Sequence, residues 1–308
     1  MNTTADNAPA PGAGPALGPV GALLPVSFTS TPSADRQRDA AVRLEQAGYD
    51  AVWTNEVIGK DAFTQLAVLL AATRRVVFGT SIANIWAREP QTAHAAAALL
   101  AQAYPGQFVL GLGVGYPEQA AGTGREFGRP LATLRDYVHR MTVPASPPAA
   151  DAVYPRILGA NGPKMLALAG EIADGALPAG LPPEGTAEAR ALLGPDKLLV
   201  VALSVVPDQD PERAREAARQ QAAASFSRPP FAAALARLGY PEHEIADVSD
   251  RVVDATIGHG GPDAIAAKVG EHLAAGADHV SLMLPIGTDF GTGIEQLEQL
   301  SPALSDLS

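Results

Sequence analysis

The hexapeptide Gly159-Ala160-Asn161-Gly162-Pro163-Lys164 follows a short apolar run and opens a helical pattern. A strand end, a turn of small residues and a proline near the first helical position present free backbone N–H groups, which bind anions. Lys164 puts a positive charge in the first turn, against the helix dipole, and a bound anion there compensates it. The plainer alternative is an ordinary Asn-Gly turn with a surface lysine. A second constellation is Trp53-Thr54-Asn55-Glu56. Glu56 is a carboxylate placed to take or give a proton, with the Asn55 amide beside it and Trp53 as a wall for substrate. Glu56 can equally be a helix-start carboxylate or pair with Lys60, and Trp53 can equally be core. A third constellation is two apolar runs that stop at small or polar residues, Thr80-Ser81-Ile82 and Gly113-Val114-Gly115. So little side-chain bulk leaves backbone against which a flat ring can lie. Tyr116 adds a hydroxyl next to the second run. Asn84 and Arg88 stand just past the first, and a guanidinium suits carboxylates, although an ion pair with Glu89 or a neighbouring helix is the simpler role for Arg88.

The six histidines carry less. His259, between two glycines ahead of Pro262, can approach the substrate end of a site. His94 can reach the same region or pack between helices, and the other four read as structural or exposed. No histidine pair has metal-ligand spacing with a carboxylate, so no metal is expected. The chain has no cysteine, which removes thiolate chemistry and disulfides. Neither a Gly-x-Ser-x-Gly elbow nor a phosphate-binding Walker loop is present.

These residues need a frame. Apolar runs at residues 20–26, 49–53, 75–83, 108–112, 156–159, 174–178, 198–206 and 279–284 read as eight strands. Helical patterns at 33–47, 61–73, 92–104 and 130–141 separate them, another opens at Gly162-Pro163, and 293–304 closes the chain. Residues 115–124 read as a polar loop, 142–155 as a Pro- and Ala-rich connection, and 211–275 as almost entirely helical. The alternation predicts a (β/α)8 TIM barrel with a helical excursion between strands seven and eight. An open doubly wound sheet is the runner-up, weakened because no Gly-x-Gly-x-x-Gly turn follows the first strand. In such a barrel the site forms at the C-terminal ends of the strands, which is where the candidate residues above fall.

Residues 1–17 are rich in Ala, Pro and Gly and lack a basic start and an apolar core, so they read as a disordered tail and not a signal peptide. Residues 18–308 read as one domain. The net charge of −11 argues against nucleic acid or an anionic membrane as partner. No apolar run approaches the ~20 residues that cross a bilayer, and the expectation is a cytoplasmic protein.

The two strand ends with the Ala-rich helix between them, the 159–164 turn, and the Ala167 to Asp174 stretch together resemble the luciferase-like monooxygenase superfamily. Within it they resemble the branch that uses the deazaflavin coenzyme F420. The resemblance runs from about Val20 to the chain end. It implies an oxidoreductase that passes hydride between F420 and a small organic substrate. The cofactor phosphate is expected at Gly159, Ala160, Asn161, Gly162 and Lys164. Its ring is expected on Thr80, Ser81, Ile82, Gly113, Val114 and Gly115, with a cis peptide at Ser81-Ile82 and Asn84 nearby. The anionic tail is expected at donors such as Arg88, Arg125 or Arg129. Glu56, Asn55 and Tyr116 are the expected catalytic residues, Trp53 and His259 the expected substrate contacts. Where relatives often have Ser-His, this chain has Gly115-Tyr116, so Tyr116 stands in place of a histidine donor. A homodimer is expected. The alternatives are an FMN-dependent monooxygenase on the same fold and a cofactor-binding barrel without turnover.

Overall fold

All eight strands expected from the apolar runs form, and two further short ones join them. The computed structural model describes residues 15–307. Its strands are β1 (Val20–Leu23), β2 (Ala51–Thr54), β3 (Val77–Thr80), β4 (Ala83–Asn84), β5 (Phe108–Gly113), β6 (Arg156–Gly159), β7 (Gly175–Leu177), β8 (Leu198–Pro207), β9 (Ile257–Gly260) and β10 (His279–Met283). Their pairings are parallel in the order β1-β2-β3-β5-β6-β7-β8, and β10 pairs with both β8 and β1. That double pairing closes the sheet into a (β/α)8 barrel with no free edge.

The first helices are α1 (Ala34–Ala47), α2 (Ala62–Leu70), α3 (Pro90–Ala103), α4 (Pro117–Ala121), α5 (Pro130–Met141), α6 (Pro163–Ile172) and α7 (Pro183–Leu193). The rest are α8 (Pro211–Phe226), α9 (Pro229–Arg237), α10 (Glu242–Ala246), α11 (Asp250–Thr256), α12 (Pro262–Ala274) and α13 (Phe290–Leu304). Many begin with proline, whose missing N–H has no intrahelical partner at that position anyway. Others are capped by side chains: Asp61 accepts from the Thr64 N–H before α2, and Ser249 from the Val252 N–H before α11. Among the described residues no helix is long and apolar enough to cross a membrane.

Strand side chains alternate between barrel interior and helix layer. Leu23, Trp53, Val77, Val109, Ile157 and Val200 point inward and form one buried cluster. Ala22, Val52, Phe78, Leu110, Leu158 and Val201 belong to the larger cluster under the helices. With both faces covered, each strand is a near-continuous apolar run, which is why the strands were legible in the sequence.

Trp53 is the largest plug of the interior. It is fully buried, and its Nε1 donates to His279 Nε2 at 2.9 Å. His279 Nε2 therefore carries no proton, and its Nδ1 donates to the Gly18 carbonyl at 2.7 Å. The neighbouring strands make room: a Cβ on Gly79 would sit 2.2 Å from the indole, and one on Gly21 would sit 2.5 Å from His279 Nε2. The expectation that Trp53 touches substrate is thus corrected. Its ring is spent on filling the barrel.

The excursion between β8 and β10 holds α8 to α12. It is less purely helical than expected, because β9 pairs with the last four residues of β8, from Ser204 opposite Ile257 to Pro207 opposite Gly260. Gly258 and Gly260 dilute its strand signal. Similarly, α4 forms inside the stretch expected as a loop. Of the expected tail, residues 1–14 lie outside the described residues, whereas Leu17 is buried against the barrel interior.

Candidate active site

The mouth is built around one peptide. The Ser81-Ile82 bond is cis. It is held on both sides: Ser81 N donates to Thr54 O at 2.7 Å, and Glu56 N donates to Ile82 O at 3.2 Å. The Ile82 side chain lies over β5 and β6. A Cβ on Gly113 would come within 2.8 Å of Ile82 Cδ1, and one on Gly159 within 3.4 Å of Cγ2. The two glycines thus let Ile82 lie flat on the strand ends. Gly115 has φ +54°, and a Cβ there would meet Gln119 Oε1 at 1.8 Å. Only glycine continues β5 into the Tyr116 cap of α4.

Thr80 and Asn84 are buried. Thr80 Oγ1 donates to Gly111 O at 2.7 Å and accepts from Gly111 N at 2.9 Å, fastening β3 to β5. Asn84 Oδ1 accepts from Trp86 N at 2.9 Å. Both side chains hold backbone at the mouth.

Glu56 is 3% exposed and saturated. Its carboxylate accepts from Ala62 N at 2.9 Å, from Asn84 N at 2.8 Å, from Arg88 Nη1 at 3.0 Å and from Arg88 Nη2. A carboxylate has about four lone-pair sites, so none is left for a substrate proton. Arg88 also reaches Asp61 at 2.7 Å and stacks 4.5 Å from the Phe63 ring centre. Burial disfavours the Arg88 cation, but the hydrogen bonds and charges of Glu56 and Asp61 outweigh it and hold its pKa above the usual arginine range. Glu56 does not pair with Lys60, and Glu89 takes Arg125 and Arg140, whereas the expected pairing of Arg88 with a neighbouring helix forms through Asp61 at the start of α2. The closed barrel lays the β4–α3 connection on the β2–α2 loop, a contact that sequence separation conceals.

Lys60 is consequently left without a carboxylate partner. Its Nζ donates to Asn55 Oδ1 at 2.8 Å. A turn holds it there, with Lys60 N on Val57 O at 2.9 Å and Gly59 at φ +91°. Burial pushes its pKa down to about 8, against the raising effect of the Glu56 charge.

At β6, the Asn161 amide bonds Ala179 twice, Nδ2 to O at 3.0 Å and Oδ1 from N at 2.8 Å. This ties the ends of β6 and β7 together. Gly162 then starts α6 with no side-chain cap, a Cβ on it would meet nothing within 4 Å, and Lys164 is exposed. At the α6 start Pro163 has no N–H and those of Met165 and Leu166 donate to Gly162 O, which leaves the Gly162 and Lys164 N–H groups as the donors there, while Ala160 packs below.

The excursion reaches the mouth at the α8–α9 turn. Arg228 stacks 3.9 Å above the Tyr116 ring centre, and Phe231 comes within 2.9 Å of where a Cβ on Gly180 would sit. Sequence reasoning missed Arg228, and nothing in its local pattern marks it. His259 lies apart from these residues. Its Nε2 is 2.8 Å from Asp254 Oδ1, a carboxylate that also takes Arg215, within the excursion. His94 packs against Tyr154, Nδ1 to the hydroxyl at 2.7 Å. Among the described residues no three His, Asp or Glu side chains come together as a metal site.

A family model described as luciferase-like monooxygenase matches residues 3–279. A Mycobacterium tuberculosis protein whose name assigns it to the coenzyme F420-dependent oxidoreductases is 36% identical over 166 residues. That match covers 44% of this chain and 48% of the relative, so the chain spans about half of that relative's length. The 5,10-methylenetetrahydromethanopterin reductase of Archaeoglobus fulgidus is 24% identical over 84% of this chain and 93% of its own. Among solved structures, the coenzyme F420-dependent tetrahydromethanopterin reductase of Methanopyrus kandleri superposes with a TM-score of 0.73. The overlap covers 93% of this chain and 99% of that one at 19% identity, a likeness of fold.

Proposed function

This chain belongs to the luciferase-like monooxygenase family, and we propose that it is an F420-dependent oxidoreductase acting on a small organic substrate. The observation that carries the reading is the floor made by Ser81-Ile82 over Gly113 and Gly159, where a Cβ on Gly113 would collide with Ile82. A flat ring fits against such a floor, and the open α6 start with Lys164 fits its phosphate. The names of the relatives point to the same cofactor.

When bound, the deazaflavin supplies hydride chemistry. The protein's part is to hold and orient. Asn161 sets the spacing of β6 and β7 under the phosphate bed. The Glu56–Arg88 pair fixes the β2 and β4 ends that flank the floor. Tyr116 and Arg228 cover the mouth from the excursion side, which helps exclude water. Glu56 is assigned a positioning role, since its four acceptor sites are filled. Tyr116, its ring stacked by Arg228, stands as a candidate hydroxyl donor.

The deciding experiment is calorimetric binding of the purified protein to F420 and to FMN. The expected result is tight F420 binding with FMN ignored. In Lys164→Ala, affinity should fall about fivefold, because one exposed charge–phosphate contact is worth ~1 kcal/mol. FMN preference would turn the assignment to a monooxygenase, and binding of neither would sink both.

A second expectation concerns the floor. Gly113→Val forces Ile82 aside, but the colliding atom is the free end of a side chain, so folding should lose only about 1–3 kcal/mol. F420 affinity should fall tenfold or more. Unchanged affinity would show that the ring does not lie there.

A further inference from the structure

The saturation of Glu56 leaves the mouth without the acid–base group that the sequence suggested, and the neighbouring loop holds another. Lys60 sits at the end of a tight turn, half-buried, with a single hydrogen bond to Asn55 Oδ1 at 2.8 Å. An ammonium has three donors, so two N–H groups have no protein acceptor. Asn55 lies between Thr54, whose O accepts from Ser81 N, and Glu56, whose N donates to Ile82 O, so it stands beside the floor peptide. The opposite side of the loop is anchored: Ile58 packs on the end of α4, where a Cβ on Gly122 would lie 2.4 Å from its Cδ1. The loop thus runs from the end of β2 to the end of α4.

We propose that Lys60, oriented by Asn55, is the proton-transfer residue of this site, serving a substrate whose reacting group is a C=O or C=N bond. The inference rests on the cofactor reading above. In the reducing direction the bound cofactor would supply a hydride to the electrophilic carbon and be oxidised by two electrons. The π pair moves onto oxygen or nitrogen, and Lys60 gives that atom a proton. One N–H bond breaks, one O–H or N–H bond forms, and a neutral amine remains to be reprotonated by solvent. In the oxidising direction the neutral amine takes the proton as hydride leaves.

The surroundings suit this exchange. The charge that acts on Lys60 is that of Glu56, which Arg88 already neutralises. Asp61, next in the chain, also pairs with Arg88. From α4 the charged residue is Glu118, which is exposed. Burial therefore dominates and lowers the pKa to about 8, where both protonation states are populated near neutral pH.

The chain has only four lysines, Lys60, Lys164, Lys197 and Lys268, so the test is direct. Lysine labelled with 13C at Cε gives four signals, assigned with single Lys→Arg variants. The expected result is a Lys60 titration near pH 8, against an ordinary lysine value of about 10.4, and a shift of that signal on saturation with F420. A Lys60 that titrates at the ordinary value, or that is unmoved by F420 while F420 binds, overturns the proposal. If F420 fails to bind the wild type, the cofactor reading falls, and the titration still decides whether Lys60 is proton-active. Across a panel of small ketones and imines with reduced F420, any acceptor reduced by the wild type should turn over at least 100-fold more slowly in Lys60→Met. Lys60→Arg should not restore it, since arginine keeps its proton. Wild-type kcat in Lys60→Met overturns the assignment.

Discussion

Arg88→Met lowers the unfolding free energy by about 3–5 kcal/mol. The variant leaves the Glu56 carboxylate, 1% exposed in its side chain, buried with two backbone N–H donors and no hydrogen-bonded counter-charge. Removing one partner of a buried pair is costly because the other charge stays desolvated. Arg88 also closes Asp61 against the start of α2, and Asp61 is the cap of that helix. Urea unfolding should show a lower midpoint with an unchanged slope, the mark of lost stability without altered compactness. The double variant Glu56→Gln, Arg88→Met should lose clearly less, because no uncompensated charge remains. A single-variant loss below 1 kcal/mol would mean that the pair does not form. The effect should extend to function. Glu56 anchors the N–H groups of Ala62 and Asn84, so the β2 and β4 ends lose their shared tether and F420 affinity falls with stability.

Acid should weaken the fold before the bulk of the carboxylates titrate. His272 and His279 both have their pKa values pushed down to about 4, chiefly by burial. For His279 the hydrogen bonds to backbone carbonyls oppose the shift without reversing it. In the unfolded chain an ordinary histidine titrates near 6.5. As pH falls below that value the unfolded state takes up the protons first, and stability drops. The stabilisation is complete above pH 6.5 and is lost progressively down to about pH 4, by up to about 3 kcal/mol for each histidine. The two share no partner: His272 bonds Thr186 between α12 and α7, and His279 bonds Trp53 inside the barrel. Their contributions should therefore add. Urea unfolding at pH 7.5, 6.0 and 5.0 should show a steady decline. His279→Gln keeps an acceptor for Trp53 and a donor for Gly18, and should remove about half of the slope above pH 5. A stability that stays flat from pH 7.5 to 5.0 would refute the assignment of both as buried neutral imidazoles.

The strands were legible because a closed parallel barrel buries both faces of each one, so that every strand becomes an apolar run. The weak exceptions have local causes. β9 carries two glycines in four residues, and β4 is only two residues long, too short for any periodicity. The small residues of the mouth were legible for a similar reason. Gly113 and Gly115 stand where a Cβ would strike Ile82 or Gln119, and Gly159 where one would touch Ile82, and a missing side chain is visible in the chain itself. The polar residues were less legible. Glu56 has Lys60 four positions away and Arg88 thirty-two away, and local spacing favours the nearer partner. The fold chose the farther one, because the β4–α3 connection lies across the β2–α2 loop.

By itself the sequence determined the eight main strands in order, the barrel they close and the small residues at the strand ends, but not β4, β9 or α4. Hydrophobic period, proline placement and glycine are local properties that survive without coordinates. Only the tertiary structure decided which charged side chain meets which, that Trp53 and His279 lock together inside the barrel, and that Arg228 comes to rest on Tyr116. Those contacts join residues far apart in sequence, and their energies depend on burial and on the removal of water, which exist only once the barrel has closed.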